Sequence, residues 1–394
     1  MANSESIFFF NSNSNESWLC IGAIHELVCH QTIDWNEVDA FIQEHHKTYI
    51  VSLIGYDAKN SIEHLSSTNN DFLETPDIAL IVPETIYHIR ENIADLVHGP
   101  SRSELLVKML GEPTAVNVSF DLKPKITKNQ YIEQFNKAKS HIQLGDVYEV
   151  NYCQTMEAFD VPPFDYLAVY KKINVYTKAP FSVFIDWKNW KMIGASPERF
   201  LKRVGHILVS QPIKGTRKRG VTAQEDVQLK EELLQDPKER AENVMIVDLV
   251  RNDLAKIAYP GSVKVDELFG IYSFETVHQM ISTISCTLKE NITFSDIMKA
   301  TFPMGSMTGA PKVSAMNLIE ELEVFKRGWY SGSVGLIQPK GDFDLNVVIR
   351  SIMYNEKNGY MCCPVGGAIT SNANAESEYL ECQLKVERIL SGLK

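Results

Sequence analysis

The sequence contains no apolar run near the roughly 18 residues that a membrane span needs. Its best N-terminal stretch, Ile7-Phe8-Phe9-Phe10, is short and has nothing basic before it, so no secretory signal is expected. Cysteine is sparse: seven in 394 residues, scattered, odd in number and without a CxxC pair. This argues against a disulfide framework and a structural zinc site, and fits a reducing cytoplasm. Positive charge is in deficit, with 39 Lys plus Arg against 50 Asp plus Glu and a net charge of −11. Nucleic acid is therefore not expected as a partner, and neither is a membrane. There is no repeat, no low-complexity block and no GxxxxGK[ST] phosphate loop. No Gly-x-Ser-x-Gly or Gly-x-Cys-x-Gly elbow occurs, so a serine hydrolase or an in-chain glutaminase lacks support.

What is present is an ordinary globular composition, 44% hydrophobic and 23% charged. Strand-like runs at residues 48–54 and 78–82 lie in an otherwise irregular first hundred residues. Around Thr127 the pattern changes. Thr127 is placed to cap a helix through Tyr131, Phe135, Ala138 and Ile142 that ends at Gly145. Residues 181–186, 191–203 and 206–213 read as three strands of a meander. Residues 236–258, 311–324 and 376–390 read as helices, and 346–354 with 360–369 as a hairpin about Asn358-Gly359. Strands interrupted by helices and joined by hairpins predict an α+β fold with antiparallel sheets.

Four groups of residues carry possible chemistry. Glu239 and Glu242, and Glu378 and Glu381, are two carboxylate pairs spaced i, i+3, each on one helix face. Opposed, they would make an oxygen-rich site suited to Mg²⁺; unopposed, they are solvated surface. Glu198 and Lys214 flank Gly205-His206, and a hairpin with a pairing sum of about 412 would set them opposite each other. That is either an acid/base and nucleophile pair or a plain cross-strand ion pair. Gly305 to Lys312 is a small-residue loop before a helix, which is either an anion-holding helix start or a chain reversal. Arg350, at the end of an apolar run, wants a bidentate anion, from a ligand or from a structural carboxylate. His278 and Tyr330 each read as a ligand donor or a packed core residue.

These stretches occur together in order: Pro212-Ile213-Lys214-Gly215-Thr216-Arg217, Glu239-Arg240-Ala241-Glu242-Asn243, Gly305 to Lys312, and Glu378-Tyr379-Leu380-Glu381. Together they resemble the chorismate-utilising enzymes over residues 126–394. The first 125 residues are similar to the N-terminal region of the ammonia-using members. The resemblance implies one composite α+β body, with two antiparallel sheets packed together and helices outside, as in component I of anthranilate synthase. It implies a Mg²⁺-dependent chorismate site. There Glu242 and Glu381 are the main metal ligands, with Glu239 and Glu378 close by. Lys214 is the nucleophile and Glu198 the acid. Arg350, Tyr330, Ser306, His278 and the backbone at Gly366 and Gly367 hold substrate.

Lys214 and Asn243 place the resemblance in the para-aminobenzoate branch, which feeds folate biosynthesis by adding ammonia to chorismate. An anthranilate-forming enzyme and a non-catalytic chorismate-binding subunit are the alternatives. Glu149 stands where water-using members carry a lysine base and ammonia users a glutamine. Ala368 stands where the family has glycine. Ammonia is expected from a separate glutamine amidotransferase subunit.

Overall fold

Apolar strands buried on both faces organise the molecule, a computed structural model that describes residues 5–14, 16–91, 93–114 and 120–393. Strand Phe181–Trp187 shows the rule. Val183 and Ile185 enter a core containing side chains from both sheets, while Phe184 enters a second core under the helices. Phe8 and Phe9 divide in the same way. Successive side chains of a strand point to opposite faces, so a strand covered on both sides reads as a continuous apolar run. Each such side chain, fully buried, stabilises the fold by about 1.5–3 kcal/mol.

Among the described residues, one sheet has eleven strands and the other ten, and their pairings are antiparallel. The N-terminal segment is woven into both. Ile7–Asn11 pairs with Phe181–Trp187 in the larger sheet, and Ile50–Ile54 pairs with Ser333–Ile337 in the smaller. Residues 1–125 and 126–394 therefore share their sheets. Among the described residues, no helix is long and apolar enough to cross a membrane.

The helices start where the chain supplies caps. Thr127 and Gln130 form a reciprocal capping box before Lys128–Leu144, and Gly145, at φ 85°, ends that helix. Asp236 accepts from the N–H groups of Lys238 and Glu239 to open helix Pro237–Ile257, with Pro237 at its first position. Asn374 opens the last helix, Ala375–Ser391.

Two expected strands are each broken in two. The run 191–203 divides into Trp190–Ser196 in the larger sheet and Arg199–Val204 in the smaller, crossing at Pro197-Glu198. The run 346–354 divides into Phe343–Val347 and Ser351–Asn355, crossing back at residues 348–350. Proline lacks the N–H that would continue a ladder, and Arg350 is left-handed at φ 52°. The two crossings bond to each other: Val347 N–H donates to Glu198 O at 3.0 Å, and Ala195 N–H to Arg350 O at 3.0 Å. Glu198 and Arg350 thus stand side by side where the two sheets exchange chain.

Candidate active site

A cavity of about 360 Å³ opens at this exchange point, within the size range of small-molecule sites. Glu198, Lys214, Ser306, Tyr330, Arg350, Gly366, Gly367 and all four helix glutamates line it. Of the single residues expected to act on substrate or metal, His278 lies elsewhere.

Glu198 is buried, and Ser306 Oγ donates to its Oε1 at 2.7 Å. Burial pushes its carboxyl up to about 7, against the opposing pull of the Ser306 hydroxyl, Lys214 and Arg350. It is a carboxyl that exchanges its proton near neutrality. Lys214 lies on strand Ile213–Lys218, which pairs with Val277–Thr287 and not with Arg199–Val204, the strand that follows Glu198. The expected register also fails: Arg203 faces Leu208, a sum of 411, and the strand is interrupted at Pro212. The two residues meet across the cavity, not across a hairpin.

Lys214 Nζ donates to Glu149 Oε1 at 2.7 Å and lies 3.7 Å from Glu242 Oε2. Burial alone would lower the Lys214 amine, but Glu149 and then Glu242 outweigh it and hold the amine above its ordinary value. A nucleophilic amine calls for a lowered pKa, and these two carboxylates act in the opposite direction. Gly215, at φ 81°, lets the strand turn beneath Glu239, because an added Cβ would meet Leu233 Cδ1 at 2.9 Å and Glu239 Oε2 at 3.1 Å.

Helices Pro237–Ile257 and Ala375–Ser391 both present their carboxylates to the cavity. Lys238 Nζ spans them, 3.8 Å from Glu242 Oε1 and 3.3 Å from Glu378 Oε1. Burial raises Glu242 to about 7 and also raises Glu239 and Glu378. Burial would raise Glu381 too, but Lys385 at 2.9 Å pulls it below its usual value. Glu242 Oε1 is buried without a hydrogen-bond partner, an acceptor aimed at a cation. Among the described residues, no three His, Cys, Asp or Glu side chains converge to hold a metal by themselves. The donor set therefore suits a hard cation that takes one or two carboxylates here and the rest of its oxygens from ligand or water, which is how magnesium is commonly held.

Arg350 and Arg388 also line the cavity, Arg388 from the same helix as Glu378 and Glu381. Burial, then Arg388, lowers the Arg350 guanidinium to about 10. Arg350 is half-buried and Arg388 is exposed, and both reach the cavity; two guanidiniums there favour an anion such as a dicarboxylate. Tyr330 is buried beside them, and burial drives its phenol well above the ordinary value. Gly366 accepts from Lys385 Nζ at 2.8 Å, and a Cβ on Gly367 would meet Glu378 Oε2 at 3.0 Å. Ala368, within strand Tyr360–Thr370, also lines the cavity and has no positive φ. Its methyl is therefore accommodated without strain.

His278 is corrected. Its Nε2 meets Asp226 Oδ1 at 2.9 Å and its Nδ1 meets Ser273 Oγ at 2.8 Å, away from the cavity. Strand alternation sends its neighbour Gln279 inward instead. Gln279 is buried, lines the cavity, and neither its Nε2 nor its Oε1 has a partner. For Gly305 to Lys312, read as either an anion-holding helix start or a chain reversal, the structure favours the chain reversal. Only Ser306 and Met307 of that loop reach the cavity along with Glu198 and Lys214. Lys312 is paired with Asp253. Asn151, Gln279, Lys238, Lys385 and Arg388 were not singled out from sequence, since isolated polar residues on strands and helices carry no spacing signal.

The chorismate binding enzyme family matches residues 5–391. Aminodeoxychorismate synthase component 1 of Escherichia coli is 35% identical over 350 residues, covering 87% of this chain and 76% of that one. Anthranilate synthase component 1 of Aquifex aeolicus is 33% identical, covering 88% and 74%. The crystal structure of anthranilate synthase component I from Streptococcus pneumoniae superposes with a TM-score of 0.83 at 26% identity, covering 97% of this chain and 92% of that one.

Proposed function

The chain belongs to the chorismate-binding enzymes, and on that premise we propose that it catalyses the aminodeoxychorismate synthase component 1 reaction. Chorismate and ammonia give 4-amino-4-deoxychorismate and water. The observation that carries this reading is Lys214 and Glu198 opening on one cavity that the four helix glutamates, Arg350 and Arg388 also line. The 35% identity to the Escherichia coli component 1 supports the same branch.

Arg350 and Arg388 hold substrate carboxylates, and Tyr330 and Gln279 offer polar contacts to the ring and its substituents. Lys214 passes its proton to Glu149, the carboxylate it already donates to, and the neutral amine attacks C2 of the ring diene. The C4 hydroxyl departs as water with the proton of Glu198. Ammonia then adds at C4, the lysine leaves C2, and the proton lost by the new amine restores the acid. Magnesium held by Glu242 and Glu381, with Glu239 and Glu378 nearby, would neutralise the ring carboxylate. Glu149 is Lys214's closest charged partner, so no lysine base for water attack stands at that position.

Three expected outcomes test the reading. The purified chain with chorismate, Mg²⁺ and ammonium yields para-aminobenzoate only after an aminodeoxychorismate lyase is added. Glutamine replaces ammonium only with a glutamine amidotransferase subunit present. Direct release of anthranilate would move the chain to the tryptophan branch, and turnover of glutamine by the pure chain would remove the need for a partner. Chelation followed by dialysis abolishes turnover, and Mg²⁺ restores it; full activity after chelation would remove the metal from the scheme.

A further inference from the structure

Arg327 lies behind the cavity wall and is 2% exposed. A guanidinium carries five N–H donors and no acceptor, and here each donor is used. Nε donates to Glu323 Oε2 at 2.9 Å, and Nη2 to Glu323 Oε1 at 2.5 Å and Asn151 O at 2.9 Å. Nη1 donates to Met307 O at 2.8 Å and Ser331 Oγ at 3.2 Å. The cation also sits 4.4 Å from the centroid of the Tyr56 ring. Glu323 is buried as well, and its Oε1 takes the N–H of Cys153 at 2.9 Å.

A buried ion pair is weak evidence for stability, since an apolar pair of similar volume often does as well. What distinguishes this one is where its acceptors lie. Asn151, Met307 and Ser331 come from three separate segments. Asn151 and Met307 line the cavity, and Ser331 adjoins Tyr330, which also lines it. Asn151 Nδ2 in turn donates to Ser306 O at 2.9 Å, and Ser306 Oγ to Glu198 at 2.7 Å. A connected path of hydrogen bonds runs from the guanidinium to the acid.

We propose that Arg327, braced by Glu323, is a positioning residue that fixes the Ser306 hydroxyl against Glu198. It touches no reacting atom. The proposal rests on the reading of Glu198 as the acid of this cavity. Planar fork geometry is what the position needs, so lysine is a poor replacement.

The test is a double-mutant cycle of Arg327→Lys with Ser306→Ala, read by steady-state kinetics, pH profile and hydrogen exchange. Arg327→Lys alone lowers kcat about tenfold or more, with the chorismate KM changed less than about threefold. Within the Ser306→Ala background it costs less than about threefold more, because residues acting through one path are not additive. The alkaline limb of kcat moves to higher pH in both single variants, since the Ser306 hydroxyl holds Glu198 down. Losses that multiply, or a lower Tm with kcat unchanged, overturn the proposal. Should Arg327→Lys not fold, Ser331→Ala removes one acceptor and enters the same cycle, with multiplied losses again overturning it. Exchange at residues 305–309 needs no turnover. It rises severalfold in Arg327→Lys while helix Pro237–Ile257 is unaffected, and unchanged exchange overturns the positioning role. A wild-type chain that converts no chorismate contradicts the functional reading, and the exchange result still decides this one.

Discussion

Lys214→Ala loses at least about a thousandfold in kcat for chorismate amination, while chorismate still binds within about tenfold of its original affinity. The amines of Lys238 and Lys385 also line the cavity, paired with Glu378 and Glu381 as Lys214 is paired with Glu149, so turnover retained in Lys214→Ala would pass the role to one of them. Arg350 and Arg388 remain to hold substrate carboxylates, so binding survives. The substitution also strands the buried Glu149 carboxylate. Removing one partner of a buried pair costs about 3–5 kcal/mol. Lys214→Ala with Glu149→Gln therefore recovers most of the lost stability and none of the turnover, which separates the chemical loss from the structural one. Lys214→Arg keeps the cation beside Glu149 but cannot become a neutral nucleophile. Isothermal titration with chorismate and product analysis under ammonium check all three variants. Undiminished turnover in Lys214→Arg would rule out the covalent role.

Much of this site was legible in the residues, and what was not has specific causes. The helix glutamates, Lys214, Glu198, Ser306, Tyr330 and Arg350 were found because they sit in motifs or at junctions of composition. Helix limits followed from Thr127, Asp236 and Gly145, whose side chains or conformations end a helix locally. The exchange of strands between sheets was not legible. Residues 191–203 and 346–354 carry strand-forming apolar residues on both sides of the crossing, and periodicity cannot report that a strand changes partners halfway. That hidden crossing places Glu198 next to Arg350. His278 was misplaced because a strand's two faces differ by one residue, and only the partner strands decide which face looks inward. Arg327 and Arg388 carry no spacing signal, and their roles come from three-dimensional neighbours remote in sequence.

Glu198→Gln makes the protein more stable at pH 8 while removing its catalysis. Glutamine keeps an oxygen to accept from Ser306 Oγ, so packing and the 2.7 Å hydrogen bond persist. What disappears is the titration. Burial raises the carboxyl from its ordinary 4.5 to about 7, so the folded state binds this proton more tightly than the unfolded chain does. The group's contribution is then fully present below about pH 4.5 and lost as the pH climbs through about 7, a difference of about 3 kcal/mol across that window. Glu242 is raised to about 7 as well and adds to the same slope in the wild type. The difference between variant and wild type isolates Glu198: their Tm values converge near pH 5 and part toward pH 8, with the variant higher. Catalysis moves the opposite way. Glutamine has no proton to give the departing hydroxyl, so kcat falls by about a hundredfold or more and the alkaline limb of the wild-type profile near pH 7 is absent. A variant less stable than wild type at pH 8 would mean that Glu198 is ionised and compensated in the folded protein. An intact alkaline limb in the variant would assign the acid to another residue of the cavity.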